Sequence, residues 1–403
     1  MRMQKIKMCV YRVVIAKNLT VIKFLMHNVV MPVSKRRTYS APYRQLWNLF
    51  SYRYFRQYAY IEGDAEAICR ETVERCWNGT FYATSFGNFN YFWIRDFAAV
   101  AKSLRKLGYI DRVRSTIHWA LWHYMEHDAV TLCITPNGRL FDAPKAGIDA
   151  LPSLMHCIRS ARYQLSSEER AFLKKRIDEF VEDYLDPETG MIRAGLEPAE
   201  LRDGAIYDRS AYAVAMVERL AWACERNDLA FPWRHEMYQQ ELIDHYWNGQ
   251  YFNADYSNTA FSAECALVPF IIRAVEDESM LNATLNYIRD HKLAEPYAMK
   301  YTDTPKKFRY RLWARTVMRN YAGDTIWTWH GAYYLRLLWG QNRPEAAKNE
   351  AAFAGMLERY HTFPEVLQPD GSIYNSLLYN SSEGMIWAAI FLTIEDYKPK
   401  LHT

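Results

Sequence analysis

The sequence predicts an all-α protein, a closed (α/α)6 toroid of six helical hairpins with short β pieces in the connecting loops. Three observations carry this expectation. From about residue 64 onward the apolar residues recur at helical spacing in twelve segments. The segments alternate between amphipathic helices and helices apolar on every side. No strand–helix alternation of the kind that builds a parallel α/β fold is present. A helix apolar all round has to be buried, whereas an amphipathic one lies outside with a single stripe facing inward. Six alternations therefore read as an inner ring of helices within an outer ring.

The segments lie near residues 64–77, 94–107, 110–127, 149–163, 166–184, 208–226, 233–246, 261–277, 278–291, 326–340, 343–361 and 383–395. Start signals stand at Asp64, Asp149, Ser166-Ser167 before Glu168-Glu169, Asp208, Ser262 and Ser382. Segment 166–184 (SSEERAFLKKRIDEFVEDY) and segment 343–361 (RPEAAKNEAAFAGMLERYH) are charged and amphipathic, as outer helices should be. Segments 149–163, 208–226, 261–277 and 383–395 are apolar on most sides, as inner ones should be. Thr131 to Leu140, around Pro136-Asn137-Gly138, reads as a β turn with short flanking strands. In such a ring the inner helices all run the same way. Their N-termini gather on one face, each offering free N–H groups and a positive dipole end. The loops leading into inner helices are where chemistry is expected.

The chain has 403 residues, half of them hydrophobic and 24% charged, which excludes a disordered chain. Aromatics reach 15%, with 30 Tyr and 13 Trp. Such residues fill cores and also line sugar sites. Charge is unevenly spread: residues 1–40 hold nine Lys/Arg and no Asp/Glu, leaving 41 basic and 46 acidic side chains beyond them. That balance gives the body no electrostatic footprint for nucleic acid. Residues 1–40 read as a basic extension outside a single catalytic domain over 41–403. Arg12, Lys17 and Lys23 interrupt its apolar runs, so it has neither a membrane span of roughly 20 residues nor a clear signal-peptide core. The seven cysteines include no Cys-x-x-Cys and no Cys/His cluster. They read as reduced, buried thiols of a cytoplasmic protein and point to no zinc site.

All six of the loops into inner helices carry candidate chemistry. Before the second segment, Asn88-Phe89-Asn90-Tyr91-Phe92-Trp93-Ile94-Arg95-Asp96 sets four aromatics beside an Arg–Asp pair. The pair can be a local salt bridge, or Arg95 and Asp96 can hold sugar hydroxyls beside a platform of Tyr91 and Trp93. Asp149 can cap its helix, or it can act as a proton donor with a raised pKa. Asp203 and Asp208, before the sixth segment, are further acid candidates, and Glu264 a weaker one. Gly323 to Gly331 contains Trp327, Trp329 and His330, a possible wall with a donor. Glu365 sits between Pro364 and Pro369-Asp370-Gly371, where no helix cap explains it, while Glu383 can sit in a first helical turn.

Together these stretches resemble the six-hairpin glycosidases: glucoamylases, the glucosidase domains of glycogen-debranching enzymes, and alkaline/neutral invertases. Phe92-Trp93-Ile94-Arg95-Asp96-Phe97 is similar to the group's aromatic-x-Arg-Asp motif. Gly147-Ile148-Asp149-Ala150, with Arg159-Ser160-Ala161-Arg162-Tyr163 at the end of its helix, resembles the stretch bearing the general acid. Gly323 to Gly331 resembles the group's Gly-x-x-Trp-x-Trp run. Phe363-Pro364-Glu365, Asp370-Gly371 and Ser381 to Trp387 resemble the region supplying the general base. The order is kept over roughly residues 85–395. Ala150-Leu151-Pro152 lacks the aromatic usual in the group, Thr328 stands where Pro is common, and there is no room for an N-terminal β-domain.

The resemblance implies an inverting glycoside hydrolase acting on a small oligosaccharide or glucoside, glucosidase-like and exo-acting. Asp149 would protonate the leaving oxygen and Glu365 would activate water from the opposite face. Arg95, Asp96, Trp93, Tyr91, Trp327, Trp329, His330, Asp208 and Glu383 would bind the sugar, with Asp203 or Asp208 the reserve acid and Glu383 the reserve base. No metal or organic cofactor is implied. Two rivals share these features. A sugar epimerase needs a pair of His bases, and only His330 stands in a matching loop. A non-catalytic carbohydrate-binding protein would keep the aromatics and need neither carboxylate.

Overall fold

The computed structural model describes residues 58–142, 145–316, 318–376 and 379–399; the basic N-terminal stretch singled out by the sequence lies outside them. Helical spacing translates into helices in every one of the twelve expected places. They are α1 (Ala65–Cys76), α2 (Ile94–Lys106), α3 (Ile110–Glu126), α4 (Ala150–Ser160), α5 (Ser167–Tyr184), α6 (Ala211–Arg226), α7 (His235–Glu241), α8 (Ala263–Ile271) and α9 (Glu278–Asp290). After a short extra helix α10 (Leu312–Thr316) come α11 (Thr328–Gly340), α12 (Ala346–Tyr360) and α13 (Ala388–Leu392). α10 falls in the long connection between α9 and α11, where the apolar spacing gives no helix.

Burial sorts the helices as the polarity pattern requires. Along α6 nearly every residue from Ala211 to Cys224 is buried, Glu218 and Arg219 included. Along α5 only Glu169, Phe172, Leu173, Arg176, Ile177 and Phe180 are buried, a single stripe at three- and four-residue spacing. The inner helices α2, α4, α6, α8, α11 and α13 each pack on the next, and α13 packs back on α2, so the ring closes. One core cluster runs through all of them.

The helix starts follow backbone chemistry more closely than the sequence signals do. Asp64 caps α1 by accepting from Ala67 N at 2.8 Å. Ser166 and Glu169 form a reciprocal capping box on α5. α6 begins at Ala211 rather than near Asp208, because Ser210 is the residue whose hydroxyl accepts from Ala213 N. Asp149 makes no cap hydrogen bond; its carboxylate is engaged elsewhere. The last segment is shorter than expected: residues 383–387 are loop, and α13 is followed by a 3-10 turn, Ile394–Tyr397.

Short strands join the loops on the face where the inner helices begin. β1 (Phe92–Trp93), β2 (Cys133–Ile134) and β3 (Leu140–Phe141) form an antiparallel sheet with Trp93 opposite Cys133 and Cys133 opposite Phe141. β4 (Ala205–Ile206) pairs with β5 (Arg309–Tyr310), and β6 (Ile326–Trp327) with β7 (Val366–Leu367). Single bridges complete the circuit: Gly147 to Ala199, Ser210 to Asp255, Lys300 to Ile326, and Ser85 to Met385. The loop face is thus a hydrogen-bonded collar, which fixes side chains that loops alone would leave mobile.

Candidate active site

Within the collar is a recess of about 240 Å³ lined by Arg95, Asp96, Leu201, Trp327, Trp329, His330 and Trp387. Five of these are expected from the sequence; Leu201 and Trp387 are not. Most of the lining groups are placed by the start of an inner helix. Arg95 and Asp96 occupy the first turn of α2, directly after β1. Trp327 closes β6, and Trp329 and His330 open α11. Trp387 sits just before α13, and its Nε1 donates to Asp96 Oδ1 at 2.9 Å.

Asp149 is fully buried and bound on several sides. Arg95 grips it with a two-point contact, Nε to Oδ2 at 2.6 Å and Nη2 to Oδ1 at 3.0 Å, and the Tyr212 hydroxyl donates to Oδ2. α2 and α4 are neighbours in the ring, so their first turns meet and the pair forms. A carboxylate gripped in this way has both oxygens committed, and it serves to aim the guanidinium.

The opposite condition holds at Asp203. Its side chain keeps 36% exposure, and its Oδ1 lies 3.8 Å from Arg95 Nη1. Burial pushes its pKa up to about 6; Arg95 opposes the rise and Asp149 adds to it. The loop bearing Asp203 is anchored by the next-door Arg202, almost wholly buried, which donates to Ala322 O, Ser262 Oγ and Tyr310 Oη at 2.8, 3.0 and 2.7 Å. Glu264 is buried too, bonded by Tyr207 and by Ser262 at 2.5 Å, and burial raises its pKa.

Glu365 precedes β7, whose pairing with β6 sets Val366 opposite Trp327. Its carboxylate accepts from the hydroxyls of Tyr321 and Tyr379 and from Ser382 N at 2.9 Å. Burial lifts its pKa to about 7 against these three donors, and Asp203 adds to the rise. Asp96 is likewise raised to about 7 by burial, with Arg95 and Trp387 pulling it back. His330 is buried, edge-on to Tyr301 at 4.8 Å, with no hydrogen-bond partner for either ring nitrogen among the described residues. Burial, helped by Arg202, lowers its pKa to about 3, so the ring is neutral.

Six expected residues do not line the recess: Asp149 and Glu365, whose surroundings are given above, and Tyr91, Trp93, Asp208 and Glu383. Tyr91 packs edge-on to Phe141 in a small cluster with Cys133 and Trp93. Trp93 touches Phe89 and Phe141. Asp208 pairs with its neighbour Arg209 at 3.4 Å, and its backbone N–H donates to Asp255. Glu383 accepts from Ala59 N, tying residue 59 to the collar. The residues that sequence reading misses are tyrosines and a tryptophan: Tyr212, Tyr321, Tyr379 and Trp387. With 30 Tyr in the chain nothing local marks these, and only ring closure brings them to the carboxylates.

No protein-family model and no curated protein sequence matches the chain. Solved structures do. A rhamnosidase from Klebsiella oxytoca with rhamnose bound is similar over 90% of this chain, with a TM-score of 0.58 and 14% identity; the chain spans 65% of that protein's length. A wild-type glycosidase is similar over 88% of this chain and 99% of its own, with a TM-score of 0.58 and 12% identity, and one of its variants has glucose bound. A GH63 mannosylglycerate hydrolase from Thermus thermophilus, in complex with Tris, is similar over 82% of this chain and all of its own, with a TM-score of 0.54 and 12% identity. At these identities the likeness establishes the fold: a toroid shared with glycosidases.

Proposed function

We propose that the protein is an inverting, exo-acting glycoside hydrolase in which Asp203 is the general acid and Glu365 the general base. The observation that carries this is the pair of carboxylates with raised pKa values, about 6 and about 7, beside a tryptophan-lined recess. Asp203 precedes the third inner helix and Glu365 belongs to the loop before the sixth, which puts them on opposite sides of a six-membered ring. A sugar and an attacking water can then stand between them, as inversion requires. In this reading Asp203 takes the place of the expected acid, Asp149: Asp149 is held at two points by the Arg95 cation and also accepts from Tyr212, a contact suited to aiming the guanidinium, whereas Asp203 keeps 36% exposure beside the same Arg95.

In the reaction, Arg95, Asp96 and His330 hold hydroxyls of the terminal sugar while Trp327, Trp329 and Trp387 wall its ring. Asp203 delivers its proton to the glycosidic oxygen as the bond breaks. Glu365 takes a proton from the water attacking the anomeric carbon of the oxocarbenium-like transition state. The described cysteines are all free and buried, in keeping with a reducing, cytoplasmic setting. No described helix is long and apolar enough to cross a membrane.

The test is a panel of glucosides, rhamnosides, disaccharides and mannosylglycerate, read by release of free sugar. Release from at least one compound, abolished in Glu365→Gln, supports the reading. Sugar binding without release from any of them would make the protein a carbohydrate-binding module, and C2 epimerisation of a free sugar would make it an isomerase.

A further inference from the structure

We propose a second site, separate in function from the recess: His123, Glu126 and His127 form a binding site for a zinc-type divalent ion that clasps the end of α3 to the β2–β3 turn. The three residues fall at positions i, i+3 and i+4 in the last turn of α3 and the residue after it, so their side chains leave the helix on one face. One ligand atom from each lies within 4.8 Å of the other two. His123 Nδ1 is 3.5 Å from Glu126 Oε2, and His127 Nε2 is 4.0 Å from the same oxygen. A tetrahedral ion with bonds of about 2.0–2.1 Å needs donors roughly 3.3 Å apart, so small side-chain rotations suffice.

Two further observations point to a ligand. His123 is about nine-tenths buried, and its Nδ1, aimed at Glu126, has no hydrogen-bond partner among the described residues. Gly138 O, on the turn between β2 and β3, accepts a hydrogen bond from His127 Nε2 at 3.2 Å, and with an ion in place of that proton it would be the fourth ligand and second oxygen. His127 would bind through the Nε2 lone pair as its Nδ1–H tautomer. Two imidazoles with one carboxylate suit Zn2+ and disfavour Mg2+ and Ca2+, which take oxygen donors.

The turn fits closely: a Cβ on Gly138, where φ is +78°, would stand 2.2 Å from His123 Cε1. Only glycine lets the turn rest on the imidazole. Because β2 pairs with β1, Cys133 opposite Trp93, an ion here would brace the sheet from which Arg95 emerges.

The experiment uses the full chain stripped with EDTA and then titrated with ZnCl2 or MgCl2, followed by calorimetric binding and by Tm. Zn2+ should bind and raise Tm by several degrees, and Mg2+ should do neither. His127→Ala and Glu126→Gln, at half-exposed positions, should keep the metal-free Tm of the parent and weaken Zn2+ binding by about 10–100-fold or more. An unshifted Tm in the parent, or parental Zn2+ affinity in both variants, would overturn the proposal. Neither outcome bears on glycoside hydrolysis, which is read separately.

Discussion

Asp149 and Asp203 flank the same guanidinium and meet different fates. Asp149 is wrapped by donors and Asp203 is partly open, so the same substitution should do different things. Asp149→Asn breaks a two-point contact and leaves Arg95, 12% exposed, with only the longer contact to Asp203 at 3.8 Å as counter-ion. Losing one partner of a buried pair destabilises by about 3–5 kcal/mol, and Tm should fall clearly. Asp203→Asn should leave Tm near the parental value and lower kcat by roughly 10²–10⁴-fold on ordinary glycosides. A glycosyl fluoride, whose leaving group needs no proton, should recover most of that loss in Asp203→Asn and none of it in Glu365→Gln. The reverse pattern, a well-folded dead Asp149→Asn and an active Asp203→Asn, would restore the acid to Asp149. The pH profile follows from the two raised values. Activity needs Asp203 protonated and Glu365 ionised; with the acid near 6 and the base near 7 that form is the minority at every pH, so kcat/KM should describe a low, narrow bell with limbs near 6 and 7. The limbs belong to the coupled pair and not to either residue alone. Stability has its own pH dependence. Glu200 is raised by burial to about 8, against the opposing hydroxyl of Ser210. Folding thus favours its protonated form: the stability it supports is full below the ordinary value of 4.5 and is lost as pH rises through 8. Glu200→Gln should therefore raise Tm relative to the parent at pH about 9 and not at pH about 4.

At the scale of single elements, polarity and capping chemistry explain most of what forms. α5 is legible from its charges, its apolar stripe and its capping box, and all three are present. Ser166→Ala removes the hydroxyl that accepts from Glu169 N at 3.2 Å and should lower stability by about 0.5–2 kcal/mol with no effect on activity, as chemical denaturation would show. α11 is also legible, but the reason for its glycine is not. A Cβ on Gly331 would meet Ala298 O at 2.2 Å and Phe353 Cε2 at 2.8 Å. Those atoms come from a loop and an outer helix that no local pattern connects to residue 331. Gly331→Ala should push the first turn of α11, and with it Trp329 and His330, out of place. The expected result is about 1–3 kcal/mol of lost stability together with weaker sugar binding, measured as a raised KM.

Ring closure is what joins these elements into a site, and it explains which parts of the site can be read in advance. Residues at the starts of inner helices are legible, because alternating helices must send those starts to one face: Arg95, Asp96, Trp327, Trp329 and His330 all line the recess. What a start touches depends on its position round the ring, and that is invisible in a linear sequence with no repeated motif. Asp149 begins the helix beside α2, so it meets Arg95 and becomes a structural anchor. Asp203 precedes α6, three places round the ring from α13 and the loop of Glu365, which is why the proposed acid and base come from opposite sides. Tyr212 and Trp387 join only because α6 packs on α4 and α13 returns to α2. The stereochemical outcome follows from the same layout. Neighbouring carboxylates about 5–5.5 Å apart would allow one to attack the sugar directly and retain its configuration, whereas a separation of roughly 6.5–9.5 Å leaves room for water. On the proposed assignment, Asp203 and Glu365, brought from opposite sides of the ring, should fall in the second arrangement. Proton NMR of the first-formed sugar, recorded before mutarotation, should show the anomer opposite to that of the substrate, and the parent protein should form no covalent glycosyl adduct with a fluoro-sugar. A retained anomer would mean that a carboxylate closer to Asp203 is the nucleophile, and Asp96, which lines the recess and is hydrogen-bonded to Trp387, would be the first to test by Asp96→Asn.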